Sequence, residues 1–236
     1  MHKKIYAENV NKLVRRVSLE HHIPEEDIRK ILYETYEDSI KDSKLRFFLK
    51  NFNPKKGDVI LDVGCFVGTH INILSKKYPE CKFIGYDISQ EYINLAKTAH
   101  GSQNASFVCD DVLKTKKLES NSIDHIFFFE VLEHVDCPRS FIELFHRLLK
   151  KDGRLYLSTP SALGITNVML NIRNRSLKYI ETEPRNTGTE KDHIYIWDKL
   201  TLFRLLNRCG FNHEKLFVSR KYSLFSGQSL CFIVKK

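Results

Sequence analysis

From Val59 onward the chain alternates short continuous apolar runs with stretches of helical period, and this rhythm narrows the possible folds more than any other feature. Val59–Val63, Lys82–Tyr86, Ser106–Cys109, Ile123–Phe129 and Arg154–Ser158 read as strands. A strand that is apolar on both sides must be covered on both sides, which is the condition of a parallel sheet between two layers of helices. The intervening stretches carry the stripes such helices need: Ile71, Leu74 and Tyr78; Tyr92, Leu95, Ala96 and Ala99; Phe141, Leu144, Phe145 and Leu148; Leu202, Leu205, Leu206 and Cys209. Ser89 and Asp198 stand where N-caps belong, Pro138 can open a helix, and Gly153 and Gly210 lie where helices should stop. The last two strands, Phe211–Val218 and Ser229–Val234, have no helix between them. They should therefore pair as a hairpin, leaving the final strand antiparallel to its neighbours. The expected fold is a doubly wound α/β domain around a seven-stranded, mostly parallel sheet, with the last strand antiparallel and helices on both faces.

Two segments fall outside this rhythm. Residues 1–56 read as helices striped by Leu13, Val14 and Val17, then Ile28, Ile31 and Leu32 behind Pro24, then Leu45, Phe48, Leu49 and Phe52, and Pro54 to Gly57 breaks the pattern. The expectation is an N-terminal helical lid over 1–56 and one main domain over 57–236. Residues 161–192 form a polar insertion bearing Arg173, Arg175, Lys178, Arg185 and Lys191. A connection that long in a compact domain is usually functional, and it leaves from the carboxyl end of a strand, where open α/β sheets bind ligands. The insertion is expected to cover an anionic small-molecule acceptor. The net charge of +9 also leaves nucleic acid as a possible partner. Six cysteines without CxxC or zinc-like spacing, a polar start and no apolar run of spanning length point to a reducing cytoplasm, no metal and no membrane insertion.

The chemistry clusters at strand ends. Asp62-Val-Gly64-Cys65-Phe66-Val-Gly68-Thr-His70 follows the first strand, and a glycine turn there lets a ligand approach the backbone at a helix N-terminus. It is not the G-x-G-x-x-G of a dinucleotide site, because Phe66 stands where the second glycine would make room for a pyrophosphate. That disfavours a nicotinamide-dependent oxidoreductase. Asp87, ending the second strand, can accept hydrogen bonds from both hydroxyls of a ribose or cap the next helix, and Ile88 beside it offers an apolar face to a base. Asp110-Asp111-Val112 ends the third strand, where an acid can receive an exocyclic amine.

Taken together, these motifs resemble the Rossmann-like class I S-adenosylmethionine-dependent methyltransferases over residues 54–236. The run Phe127-Phe-Phe-Glu130-Val-Leu-Glu133-His134-Val is similar to the EVLEHV signature of the small-molecule branch that includes ubiquinone-biosynthesis O-methyltransferases. The resemblance implies S-adenosylmethionine as cofactor, held by Asp62, Gly64, Cys65, Phe66, Gly68, His70, Asp87, Ile88, Asp111, Val112 and Glu130. Phe66 departs from the family's glycine and implies a reshaped pocket on the methionine side. A methyl acceptor that must lose a proton needs a general base, for which Glu130, His134 and His193 are the candidates. The other readings are an RNA or protein methyltransferase and a cofactor-binding protein without catalysis. The strand end Phe129-Glu130-Val lacks the Asn/Asp-Pro-Pro-Tyr/Phe run of enzymes that methylate a planar nucleic-acid amine.

Overall fold

The structure is a computed structural model and describes residues 15, 24–26, 28, 43–100, 102–162, 194–220 and 228–236. Its strands are β1 (Val59–Val63), β2 (Lys82–Asp87), β3 (Ala105–Cys109), β4 (Ile123–Phe129), β5 (Leu149–Pro160), β6 (Asn212–Arg220) and β7 (Gln228–Lys235). They make one seven-stranded sheet in the order β3-β2-β1-β4-β5-β7-β6. β1 to β5 pair in parallel. β7 runs antiparallel to β5 on one side and to β6 on the other. The final strand is thus the antiparallel one, as its helix-free connection predicts, but it lies inside the sheet and leaves β6 at the edge.

Helices α1 (Ser43–Asn51), α2 (Thr69–Lys77), α3 (Gln90–His100), α4 (Pro138–Leu148) and α5 (Lys199–Arg208) cover the sheet. Adjacent strand residues feed opposite faces: Ile60, Phe127, Tyr156 and Ile233 pack with α1, α2 and α3. Leu61, Ile126, Phe128, Leu155, Leu157 and Phe232 pack with α4 and α5. This is why the strands read as unbroken apolar runs. Asp198 caps α5 as expected, accepting from the amides of Leu200 and Thr201, and the Ser89 hydroxyl accepts from the Tyr92 amide at 3.3 Å.

Two details differ from the sequence reading. Gly153 does not follow a helix end: β5 begins directly after α4, and Gly153 lies within it, where a Cβ would come within 2.9 Å of the Lys150 carbonyl. The buried face of α3 holds Ile93 with Leu95 and Ala96, whereas Tyr92 is only half-buried, its ring edge-on to Phe66 at 4.2 Å.

The third N-terminal helix exists as α1 and is held by aromatic packing. Phe48 stacks on Phe129 at 4.6 Å and Phe47 on Phe217 at 5.0 Å. Phe52, just beyond the helix, meets Phe127 edge-on at 5.1 Å. Apart from residues 15, 24–26 and 28, the two preceding helices expected from the sequence lie outside the described residues, as do residues 163–192 of the insertion. Phe48 is almost wholly buried, so Phe48→Ala should lower the unfolding free energy by about 3–5 kcal/mol. Urea denaturation checks this, and a loss under about 1 kcal/mol would mean that α1 is not part of the cooperative core.

Candidate active site

The turn after β1 is shaped by what glycine permits. Gly64 and Gly68 sit at φ +74° and +76°. A Cβ on Gly64 would lie 2.4 Å from Val131 Cγ2, and one on Gly68 would lie 2.6 Å from the Phe107 ring. Gly68 is also the N-cap of α2 and supplies no side-chain acceptor to its first turn. Phe66 lies in the left-handed region at φ +51° without being glycine, a strain of about 1–3 kcal/mol that its surroundings must hold. Its amide donates to Asp87 Oδ2 at 2.9 Å, while Asp87 Oδ1 accepts from the Ser89 amide at 2.9 Å.

Asp87 is therefore both a helix-start acceptor and the tie between β2 and the glycine turn. Each of its oxygens accepts one N–H here, and an ionised carboxylate has capacity for about four. Ile88 beside it is 81% exposed, the most exposed of the large apolar residues described. Beneath the turn, Asp62 is only 2% exposed and its Oδ2 has no hydrogen-bond partner. Burial, and then the neighbouring Asp87 charge, push its carboxyl up to about 7. The Cys65 thiol is buried, as is the Val112 side chain, so their backbones are what they can offer a ligand. Asp111 accepts from the Leu113 amide at 3.0 Å and pairs with Lys114 at 3.0 Å, and Lys114 holds its carboxyl below the usual range. Asp110 faces Lys117 at 3.6 Å.

A second group of acids stands at the end of β4. Glu130 adopts φ +53°, and its amide donates to the Ser158 carbonyl at 2.9 Å. Its Oε1 accepts from the Ser158 hydroxyl at 2.7 Å and faces Lys44 Nζ of α1 at 3.3 Å. His70 lies edge-on to Phe129, 5.4 Å away. Glu133 was not among the residues singled out from the sequence, yet it is the most deeply buried acid described, at 1% exposure. The Thr159 hydroxyl donates to its Oε2 at 2.9 Å, and His134 Nε2 is 3.9 Å from its Oε1. Burial first, and then Glu130, push its carboxyl up to about 7. The available signal was an acid enclosed by Val131, Leu132 and Val135. The Glu133 carbonyl accepts from the amides of Ile194 and Tyr195, and the Ala162 amide donates to the Trp197 carbonyl at 2.7 Å. The chain returning from the insertion thus lies against Glu133 and pairs with the departing end at Ala162, whereas His193 itself lies outside the described residues. Among the described residues no group of three or more His, Cys, Asp or Glu is placed to hold a metal ion, and no helix is long and apolar enough to cross a membrane.

A strand order of 3-2-1-4-5-7-6 with a glycine turn after β1 is the fold of the class I S-adenosylmethionine-dependent methyltransferases. The family model described as a methyltransferase domain matches residues 54–201, and the chain belongs to that family. Among curated proteins it resembles ubiquinone biosynthesis O-methyltransferases. That of Coxiella burnetii is 35% identical over 107 residues, covering 44% of each chain. That of Xanthomonas oryzae is 31% identical over 145 residues, covering 58% of this chain and 57% of the relative. The chain thus spans about half the length of the curated relatives it matches. A SAM-dependent methyltransferase from Methanosarcina mazei shares the fold at a TM-score of 0.63 and 22% identity, covering 80% of this chain and 96% of that one.

The raised acids make a pH prediction. With its folded pKa near 7 and an ordinary unfolded one, Asp62 binds its proton more tightly when folded. Its protonation therefore stabilises the fold at low pH, and that stability is lost as pH rises through about 7. His100 and His125, whose pKa values burial lowers, act in the opposite direction at acid pH, so the informative quantity is a difference. The stability of wild type minus that of Asp62→Asn should fall between pH 5 and 8. Urea titrations across that range check it, and a flat difference would show that Asp62 is ionised in the fold.

Proposed function

We propose that the chain transfers a methyl group from S-adenosylmethionine to an oxygen nucleophile on a small molecule of anionic character. The observation that carries the cofactor reading is one constellation: a carboxylate tied to a left-handed turn, an unpartnered buried acid oxygen below it, and an exposed Ile88 beside it. Asp87 has lone pairs to spare for ribose hydroxyls, Ile88 offers an apolar face to adenine, and Asp111 can receive the adenine amine. The turn after β1 that carries Gly64, Phe66 and Gly68 suits the methionine portion, with His70 following in the first turn of α2. The relatives named as O-methyltransferases support oxygen as the nucleophile, and the arginines and lysines of 161–192 support an anionic acceptor.

When bound, S-adenosylmethionine supplies a methyl group made electrophilic by its sulfonium. The protein's principal task is then alignment, which can supply about 7–11 kcal/mol of a barrier. A hydroxyl acceptor must also give up a proton. Glu130 and His134 stand at the carboxyl end of β4 to receive it, and Glu133 adds a carboxyl that exchanges protons near neutrality. His193, one residue before the chain returns beside Glu133, is the other candidate base.

Calorimetry tests the reading. S-adenosylhomocysteine should bind and NAD should not. Asp87→Ala should weaken S-adenosylhomocysteine binding by about 1.5–3 kcal/mol, roughly 10- to 150-fold, with melting temperature monitored because Asp87 also ties the turn. NAD binding without any response to the sulfur ligand would refute it.

A further inference from the structure

The methyl-transfer reading gives no role to one charge that the fold brings to the site. Lys44 lies in the first turn of α1, yet its ammonium is 3.3 Å from Glu130 Oε1, with the lysine side chain 18% and the glutamate 35% exposed. Such a pair contributes little to stability, since ordering two flexible side chains offsets most of the Coulomb gain. Nor does α1 need it in order to dock: Phe47, Phe48 and Phe52 already fix the helix against Phe217, Phe129 and Phe127. The helix delivers the charge; the charge does not deliver the helix.

What the charge meets is a carboxylate held in place from several sides. Glu130 is fixed by a left-handed backbone, by the Ser158 hydroxyl and by the Ser229 hydroxyl, 3.5 Å from Oε2. Its neighbour Glu133 is faced by Glu130 from the end of β4, by the Thr159 hydroxyl from β5, by the His134 ring and by Lys44 from α1. A buried carboxyl near another carboxylate resists ionisation, and a cation nearby eases that conflict. Consistent with this, Glu130 raises the Glu133 carboxyl and Lys44 lowers it.

We propose that Lys44 is a positioning residue of the methyl-transfer site: its ammonium holds the Glu130 carboxylate at the end of β4 and ties the acid–base state of the buried Glu133 to the docking of α1. The proposal deepens the reading above and rests on it. A hydroxyl acceptor would then meet the Glu130 carboxylate in its held position, with Glu133 buried behind it, only while the N-terminal helix is seated.

The test follows the glutamate carboxyls by carbon-13 NMR from pH 4 to 9 in wild type, Lys44→Met, Lys44→Arg, Glu130→Gln and Phe47→Ala. S-adenosylhomocysteine binding to the wild type is measured alongside. Lys44→Met should move the Glu133 midpoint up, by less than the roughly 1–3 pH units that a directly paired opposite charge produces, because Lys44 pairs with Glu130 and not with Glu133 itself. Lys44→Arg should return it to the wild-type value. Glu130→Gln should move it down, and Phe47→Ala, which loosens α1, should move it up. A Lys44→Met midpoint equal to wild type, or an upward shift in Lys44→Arg as large as that in Lys44→Met, overturns the proposal. If Lys44→Met does not fold, Phe47→Ala decides: a wild-type Glu133 midpoint in that variant overturns it. A wild type that binds no S-adenosylhomocysteine refutes the methyl-transfer reading whatever the titrations give, while normal binding with immobile midpoints refutes only the role of Lys44.

Discussion

The reversal of strand order at the centre of the sheet governs everything else in this molecule. The chain runs outward from β1 through β2 to β3, then returns to β4 on the other side of β1 and proceeds outward again. Parallel crossovers keep one hand, so the connections leaving β1 and β4 depart to opposite faces and part at the carboxyl ends of these two strands. That parting is the crevice in which open α/β sheets bind ligands. The glycine turn, Asp87 and Glu130 all hang from strand ends around it. Neither the turn nor the acids would make a site if β4 had paired beyond β3.

Around this crevice the acids come in two matched pairs. Asp87 and Glu130 are the outer members, satisfied by the amides of Phe66 and Ser89 in one case and by Ser158 and Lys44 in the other. Asp62 and Glu133 are the inner members, buried, and pushed up to about 7 by burial and by the charge of the outer partner. A low-dielectric interior raises the cost of charging a buried carboxyl, and a neighbouring acid adds to that cost. The two non-glycine residues in left-handed backbone nearest the site, Phe66 and Glu130, sit one to each pair. Each is held by an amide bonded across to the neighbouring strand's residues, Phe66 to Asp87 and Glu130 to Ser158. The strain is local, and the hydrogen bonds that hold it also aim the carboxylates.

Much of this was legible in the sequence because it is local. Unbroken apolar runs predict strands buried on both faces, caps at Ser89 and Asp198 predict helix starts, and glycines before a helix predict a turn open to ligand. Asp87 and Glu130 could be named because strand ends are readable. Gly153 was misread because turn residues mark helix ends only when a turn follows, and here β5 starts at once. Glu133 shows in the sequence only through its apolar neighbours Val131, Leu132 and Val135, a signal that does not say whether the fold will seal the acid. Lys44 was invisible as a site residue, since its partner is far away along the chain.

The sequence by itself determined the alternation of elements, the sheet's parallel body with one reversed strand, and the residue types at each strand end, because periodicity, capping and turn chemistry act over a few residues. Only the tertiary structure decided that β7 enters between β5 and β6, that Glu133 is sealed beneath Thr159 and the returning chain at Ile194, and that α1 carries a cation to Glu130. Those outcomes depend on burial and on contacts between distant segments. Such contacts fix the electrostatic environment of a carboxyl group, and no local pattern encodes them.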